Sequence, residues 1–306
     1  MKTLYLECRM GAAGDMLMSA LYDLMDEAQK EQFLNQMNGL SAAGITVKPG
    51  RKTTCGISGE HLTILVNGEE EHAGEPHEHS HDHEHCHEHE HDHDHEYCHE
   101  HDHNHEHDHD HEHDHEHCHD HDHDHSHTHD AHHHHHATPE SVAAAIDGLT
   151  VSDEVKEKAK DVYQLIAEAE ASAHGTDIGL VHYHEVGAMD AVADVVGVSL
   201  ALSILNPDQI LCSPINTGTG MIRCAHGIMP VPAPATAALL LGVPTYGDSE
   251  DTELCTPTGA ALLKYYSEAF GNRPVMNVEK IGYGVGTKDF DEHANCIRAF
   301  YGERVK

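Results

Sequence analysis

Five polar side chains stand together at the start of an apolar segment, and their types suit metal binding or proton transfer. They are His182, His184, Glu185, Asp190 and Asp194. The two aspartates are one helical turn apart, and the residues after 190 are apolar on every side of a helical wheel. Buried carboxylates are destabilising unless they are paired, hydrogen-bonded or bound to a metal. We therefore predict a metal site at the start of a buried helix.

The two histidines add to this prediction. If residues 180–184 form a strand, His182 and His184 point to the same side, and two imidazoles on one side suit a divalent transition metal. A simpler interpretation stays open. Asp190 would then cap the helix and interact with its dipole, Asp194 would pair with an arginine, and the histidines would lie on an exposed loop.

A glycine-rich turn offers a second kind of site. Gly11, Gly14 and Asp15 lie between a short apolar strand, predicted over residues 3–8, and a helix that ends near residue 25. Backbone amides at such a helix start can bind an anion. The spacing does not match the dinucleotide-binding fingerprint, and the segment has no lysine of the Walker type found in the phosphate-binding loop of nucleoside triphosphatases. A tight connection with Asp15 in the first helical turn explains the same residues.

Two more segments carry candidate ligands. Thr256 is a predicted N-cap, and its hydroxyl, together with Thr258 and Gly259, could hold phosphate at the helix start. Cys224 and His226 are two residues apart on an extended segment and could bind a metal together. A buried thiol and a hydrogen-bonded histidine account for that pair equally well.

Residues 69–136 form a tract of histidine alternating with aspartate or glutamate. It contains 32 of the 38 histidines and, up to Asp130, 24 acidic residues. The tract has almost no apolar surface to bury, so we predict that it is disordered and binds metal at many similar sites. A solvated linker is the alternative. The predicted ligands in its first part are His77, His79, His81, His83, His85, His87, His89, His91, His93 and His95.

The rest of the chain limits the class of protein. Outside the tract, 30 acidic residues stand against 17 basic ones, although the whole chain has a net charge of -37. Nucleic acid is therefore excluded as a partner. No apolar run reaches the length of a membrane span, and residues 1–8 do not resemble a signal peptide. We expect a cytoplasmic protein whose nine cysteines are reduced.

The order of elements predicts an α/β fold, with a mixed α+β arrangement as the alternative. Helices are expected over residues 26–37 and 152–174, as a short helix that opens at residues 138 and 139, over the segment that is apolar from residue 191 to 205, and after residues 233 and 256. Strands are expected over residues 45–48, 61–66, 209–213, 275–279 and 295–301, with a turn at 55–59 and a flexible glycine segment at 281–287. The predicted domains are residues 1–68 and 138–306, which share one body with an aliphatic core, and the insertion at residues 69–137.

Taken together, the motifs resemble those of the LarC nickel-insertion family in the same order. They begin at Gly11, His182, Ser213, Cys224, Thr256 and Gly282. The resemblance implies insertion of Ni(II) into pyridinium-3,5-bisthiocarboxylic acid mononucleotide, which gives the nickel-pincer cofactor of lactate racemase-type enzymes. It further implies a cyclometallase of the lyase class that depends on CTP with Mn or Mg.

The chain departs from this family in two places. Members of the family continue beyond the glycine motif into a domain that holds the CTP site, whereas this sequence ends at Lys306. We expect an N-terminal portion, working with a separate C-terminal LarC chain and forming a homo-oligomer. The second departure is Arg9, which stands where the family often has phenylalanine and could meet an anionic ligand.

These features give a mechanistic hypothesis and a rival. The tract would collect nickel and pass it to His182, His184 and Glu185, with Asp190 and Asp194 completing the site. Glu185 or His226 would accept the proton released from the substrate ring, with Asp190 as a further catalytic candidate. The rival is a nickel store or metallochaperone without catalytic activity. A structural hydrolase-like α/β protein is a third interpretation, which treats the clustered polar residues as coincidence.

Overall fold

The computed structural model describes residues 1–40, 44–70, 137–183, 185–248 and 250–305. All of them belong to one compact unit. The predicted ligands of the tract, His77 to His95, and His184 lie outside the described residues, so the predictions about them stay predictions. No helix in the described part of the chain is both long and apolar enough to cross a membrane.

Helices and strands alternate irregularly along the chain. In order they are β1 (Lys2–Glu7), α1 (Gly14–Asp23), α2 (Glu27–Asn38), β2 (Ile45–Thr54), β3 (Ile57–Val66), α3 (Pro139–Asp147), α4 (Asp153–His174), α5 (Met189–Leu205), β4 (Gln209–Cys212), β5 (Ile215–Asn216), β6 (Met221–Cys224), β7 (Gly227–Pro230), α6 (Pro234–Leu239), β8 (Thr245–Tyr246), α7 (Pro257–Tyr266), β9 (Ala269–Phe270), β10 (Met276–Val285) and β11 (Cys296–Arg304).

A mixed seven-stranded sheet organises these elements in the order β2-β3-β10-β11-β1-β4-β9. Strands β1, β4 and β9 run parallel, so their carboxyl ends meet at one edge of the sheet, while β11 runs antiparallel between β10 and β1. Pairs β5–β8 and β6–β7 form two small additional sheets. The α/β class is thus confirmed, with a sheet that is mixed rather than purely parallel.

The core lies between the sheet and the helices. Along β1, Leu4 and Leu6 belong to the apolar core shared with the helices, and the alternation of a strand directs Tyr5 and Glu7 to the opposite face. Helix α5 is buried on all sides, as predicted, because it packs against α1, α4 and α7. The start of α5 is therefore held rigidly near the start of α1.

Helix starts are where the sequence was most informative. Asp26 and Thr138 each form a capping box, and Ser152 and Thr256 accept a hydrogen bond from an amide of the first turn. These local signals fixed the starts of four helices to within a residue or so of the prediction.

Three predictions were wrong. Residues 180–183, the described part of the predicted strand, do not form one, because residues 178–180 make a 3-10 turn and only Tyr183 forms an isolated bridge, to Ala137. The turn predicted at 55–59 is a two-residue hairpin turn at Cys55 and Gly56, both with positive φ.

The third error concerns the glycines at the end of the chain. Gly282 and Gly284 lie within β10 and are not a flexible segment. A Cβ atom at Gly284 would be 1.9 Å from the Met16 carbonyl oxygen, and one at Gly282 would be 2.1 Å from that of Ala20. The glycines therefore let α1 pack directly on the strand.

Candidate functional site

The glycine-rich turn and the segment before α7 form one structure. Ala12 donates to the Leu254 carbonyl (3.0 Å) and accepts from the Thr256 amide (2.9 Å). Gly11 has a φ of +76°, and a Cβ atom there would be 1.8 Å from the Leu254 oxygen. A Cβ atom at Gly259 would be 2.2 Å from the Ala12 oxygen. The glycine-rich turn and the start of α7, which were both predicted to bind an anion, are thus held side by side by backbone hydrogen bonds.

The start of α1 lies beside the protein's own carboxyl groups. The backbone amide of Asp15 acts to lower the pKa of the Asp194 carboxyl on α5, and that of Met16 acts to lower the pKa of the Asp15 carboxyl, in both cases against the larger effect of burial. Asp194 packs so closely on Gly14 that a Cβ atom there would lie 2.6 Å from its Oδ2. The dipole of α1 favours negative charge at this point. A phosphate at this turn would have to displace these carboxylates.

Asp194 is the most unusual group of the site. Its Oδ1 atom is buried and has no hydrogen-bond partner in the described part of the chain. Burial raises the pKa of the Asp194 carboxyl well above its usual range, and the nearby charges of Asp15 and Asp190 raise it further. A carboxylate oxygen left in this state favours either a bound proton or a bound cation.

Asp15 has a second set of neighbours that the sequence did not indicate. Burial raises the pKa of the Asp15 carboxyl, while the Met16 amide and the charges of His61 and Lys52 act in the opposite direction. His61 Nδ1 lies 2.8 Å from the Val285 carbonyl oxygen, and a carbonyl can only accept, so Nδ1 carries the proton. Nε2 of the neutral ring is then the atom with a lone pair for a proton or a metal.

Lys52 approaches from the end of the β2–β3 hairpin. Its Nζ donates to the carbonyls of Thr287 (2.7 Å) and Gly286 (3.2 Å). It also lies 3.1 Å from Asp289. Neither Lys52 nor His61 is near the site in sequence, and no local pattern marks them. Their position follows only from the contact between β3 and α1, where the Leu62 amide donates to Ser19 Oγ.

The described residues leave the predicted nickel site incomplete. Asp190 lies in the first turn of α5, where its charge suits the helix dipole, and its Oδ1 accepts from the Ala191 amide at 2.6 Å. The N-cap of α5 is Ala188, which makes no side-chain cap, so the alternative that Asp190 caps the helix is wrong. His182 is exposed, and Glu185 begins a 3-10 turn. Among the described residues, no three His, Cys, Asp or Glu side chains are arranged to hold a metal ion. His184 and the Glu185 side chain lie outside that description, so the predicted five-residue set stays a prediction.

Cys224 ends β6 and His226 lies in the two-residue turn that leads to β7, so the pair is not on one extended segment as predicted. There Cys224 Sγ lies 3.5 Å from the Gly227 oxygen. The His226 ring meets the ring of His174, at the end of α4, edge to face with centroids 4.7 Å apart. His174 Nε2 is 3.5 Å from a Glu170 oxygen. His174 and Glu170 are therefore candidate ligands that sequence reasoning missed.

At the start of α7 the hydroxyl groups already have partners. Thr256 Oγ1 accepts from the Gly259 amide at 3.2 Å and lies 3.1 Å from Thr258 Oγ1. These contacts stabilise the helix without a ligand. A phosphate bound by Thr256, Thr258 and Gly259 would compete with the cap.

Comparison with known proteins identifies the family of the chain. The sequence signature described as nickel insertion protein matches residues 4–306. The chain belongs to the nickel insertion protein family. No solved structure matches the chain.

Relatives of this family differ in how much of them the chain covers. A pyridinium-3,5-bisthiocarboxylic acid mononucleotide nickel insertion protein of Geobacillus kaustophilus is 33% identical over all 306 residues, which correspond to 61% of that protein. A protein with the same name from Desulfitobacterium hafniense is 43% identical over 168 residues, 55% of this chain and 42% of its own. The chain thus spans about three fifths or less of these relatives.

Proposed function

We propose that the chain inserts Ni(II) into pyridinium-3,5-bisthiocarboxylic acid mononucleotide and so forms the nickel-pincer cofactor. The observation that carries this proposal is the match to the nickel insertion protein family over residues 4–306. The Geobacillus kaustophilus relative, similar over the whole chain, is named for this reaction. The geometry adds a half-buried carboxylate pair, Asp15 and Asp194, at the meeting point of α1 and α5, with the Asp194 Oδ1 atom fully buried.

The chemistry needs a proton acceptor as well as a metal. Nickel exchanges water for two sulfur atoms and one ring carbon, and the proton of that carbon must pass to a base. Glu185, His226 and Asp190 are the acceptors that the sequence suggested. Asp15 and Asp194 join them, since a carboxylate whose pKa is raised by burial is a stronger base than an exposed one.

Nickel would reach the body through imidazoles. The tract offers many similar nitrogen ligands, which suits collection of the metal rather than a single defined geometry. From there it would pass to His182, His184 and Glu185, and then to the aspartates. His226, with His174 and Glu170 beside it, offers a second binding site for nickel. The exposed His226 ring would have to turn so that it and His174 bind the same metal ion.

The finer parts of the proposal rest on the family resemblance. The reaction is a lyase-class cyclometallation driven by CTP with Mn or Mg, and a separate C-terminal chain provides the CTP site. The protein works in the cytoplasm as a homo-oligomer.

A reconstituted reaction tests this function. The purified chain is incubated with nickel, CTP, Mn and the dithio-mononucleotide, with and without the C-terminal portion of a full-length relative. Mass spectrometry should detect a product that has gained one nickel atom and lost the protons that nickel replaces, including the one on the ring carbon. Omission of CTP should abolish it. Absence of this product under every condition would contradict the proposal.

The alternative function is nickel storage or delivery without catalysis. The histidine-rich tract favours it, because 32 histidines in one segment can bind several ions. A store should bind many nickel ions per chain by equilibrium dialysis and form no product even with CTP and the C-terminal portion supplied.

A further inference from the structure

A cavity of about 370 Å³ opens at the sheet edge where β1 ends. It lies on the face of β1 opposite the helices, to which Tyr5 and Glu7 point. Its charged and aromatic lining consists of Arg9, Arg273, Arg298, Glu7, Tyr5 and Phe300. The function proposed above does not use this cavity.

The topology of the sheet brings three arginines to this place. Arg9 follows the carboxyl end of β1, and Arg273 follows that of β9, which runs in the same direction. Arg298 is near the start of the antiparallel strand β11, in register with Glu7. In sheets of this kind, ligands bind beyond the carboxyl ends of parallel strands. The three arginines are far apart in sequence, and only the strand order unites them.

The cavity carries more positive than negative charge. Glu7 pairs with Arg298 and lies 3.5 Å from Arg9 Nε, so one carboxylate serves two arginines. Arg273 lies over the Phe300 ring at 4.3 Å, and no carboxylate of the described residues is within ion-pair distance of it. The chain has only six arginines and a net charge of -37. Three of the six converging on one cavity mark it as a site for an anion.

We propose that this cavity binds the phosphoryl group of a nucleotide. A phosphate monoester carries about two negative charges at neutral pH, which matches three guanidinium groups opposed by one carboxylate. Arginine binds phosphate through two parallel hydrogen bonds, and Glu7 holds Arg298 in place for this role. The helix starts predicted to hold phosphate are already covered by the protein's own side chains, since Asp194 packs on Gly14 and the Gly259 amide donates to Thr256 Oγ1.

The position of the cavity also suits the reaction. Arg9 and Asp15 lie six residues apart on one turn, so their Cα atoms are separated by at most about 20 Å. One turn thus presents an anion site at one end and the Asp15–Asp194 pair at the other. As a subsite for the substrate of nickel insertion, the cavity depends on the proposed function. As a phosphoryl site, it depends only on the arginines.

Isothermal titration of the metal-free chain of residues 1–306 tests the proposal. The ligands are a pyridinium mononucleotide that carries a ring carboxylate, the corresponding nucleoside without phosphate, CTP and inorganic phosphate. The variants are Arg273→Gln and Arg9→Gln, whose side chains are exposed and whose loss should leave the fold intact. The matched control is Arg304→Gln, which removes the same charge from β11 outside the cavity.

We expect the mononucleotide to bind, and the nucleoside to bind at least 10-fold more weakly. Loss of one charge-assisted hydrogen-bonded pair should weaken mononucleotide binding by about 10- to 100-fold in Arg273→Gln, with a similar direction in Arg9→Gln. Arg304→Gln should bind as the wild type does. If Arg273→Gln weakens the binding of CTP but not of the mononucleotide, the cavity binds the phosphoryl groups of a triphosphate. If the variant weakens the binding of inorganic phosphate by the same factor as that of the mononucleotide, the base and the sugar contribute nothing to recognition.

The proposal is overturned if no phosphorylated ligand binds, or if Arg273→Gln and Arg304→Gln bind it equally well. Failure of the proposed function is seen separately, because it leaves phosphoryl binding intact while no nickel-containing product forms. Equal urea midpoints for the variants and the wild type exclude unfolding as the cause of weaker binding.

Discussion

Replacement of Asp194 by Asn should change the pH dependence of stability in a defined direction. Burial, with the charges of Asp15 and Asp190, raises the pKa of Asp194 in the folded chain above that of an unfolded aspartate. Between the two pKa values, the folded state holds a proton that the unfolded state has released. The free energy of unfolding of the wild type therefore falls as pH rises above about 3.9, until Asp194 ionises in the folded state.

The size of the effect follows from the distance between the two pKa values. Each pH unit that separates the folded from the unfolded pKa corresponds to about 1.4 kcal/mol. Asn has nearly the same shape and no charge. The variant should match the wild type below the unfolded pKa. As pH rises it should become the more stable of the two, by up to about 1.4 kcal/mol for every pH unit between the two pKa values.

Urea unfolding in the presence of a chelator measures this difference. Far-ultraviolet circular dichroism is the suitable probe, since the chain has no tryptophan. Titration of the histidine-rich tract is common to both proteins and cancels in the comparison. Asp161→Asn, which removes an exposed carboxylate of α4, is the control and should show no such trend. A stability difference between Asp194→Asn and wild type that is constant from pH 5 to 8 would refute the reasoning.

Three further predictions concern packing, capping and metal contact. Gly284→Ala should lower the free energy of unfolding in urea by about 3 kcal/mol or somewhat less, because the new methyl group would clash with the backbone of α1. Gly179→Ala, with open space around it, is the control and should change this free energy by no more than about 0.5 kcal/mol. Thr256→Ala should cost about 1 kcal/mol in the same measurement through loss of the α7 cap, and it should leave nucleotide binding unchanged. Nickel should protect both His174 and His226 from carbethoxylation, measured for each peptide by mass spectrometry. His174→Ala should remove the protection of His226, and protection that survives this replacement would contradict a shared metal.

Much of the fold could be predicted because its signals are local. The buried helix α5 shows in a run of apolar residues, and Thr138, Ser152 and Thr256 mark helix starts by their own hydrogen bonds. The β2–β3 hairpin proved longer than expected, since polar residues continue both strands toward an exposed turn.

The site was predictable only in part. Sequence reasoning named Asp15 and Asp194 for separate roles, but their contact joins residues 179 positions apart and depends on the packing of α1 against α5. His61 and His174 were missed because each is a single histidine without a local pattern. The arginine cavity was indicated by Arg9 alone, since Arg273 and Arg298 reach it only through the order of the strands.

The central claim is that the Asp15–Asp194 pair takes part in nickel insertion, and the yield of nickel-containing mononucleotide tests it most directly. Mass spectrometry would compare wild type with Asp15→Asn, Asp194→Asn and the exposed control Asp161→Asn, each loaded with the same amount of nickel. We predict that product formation falls at least 10-fold in both site variants and is unchanged in the control. Normal yield from Asp15→Asn and Asp194→Asn would contradict the account.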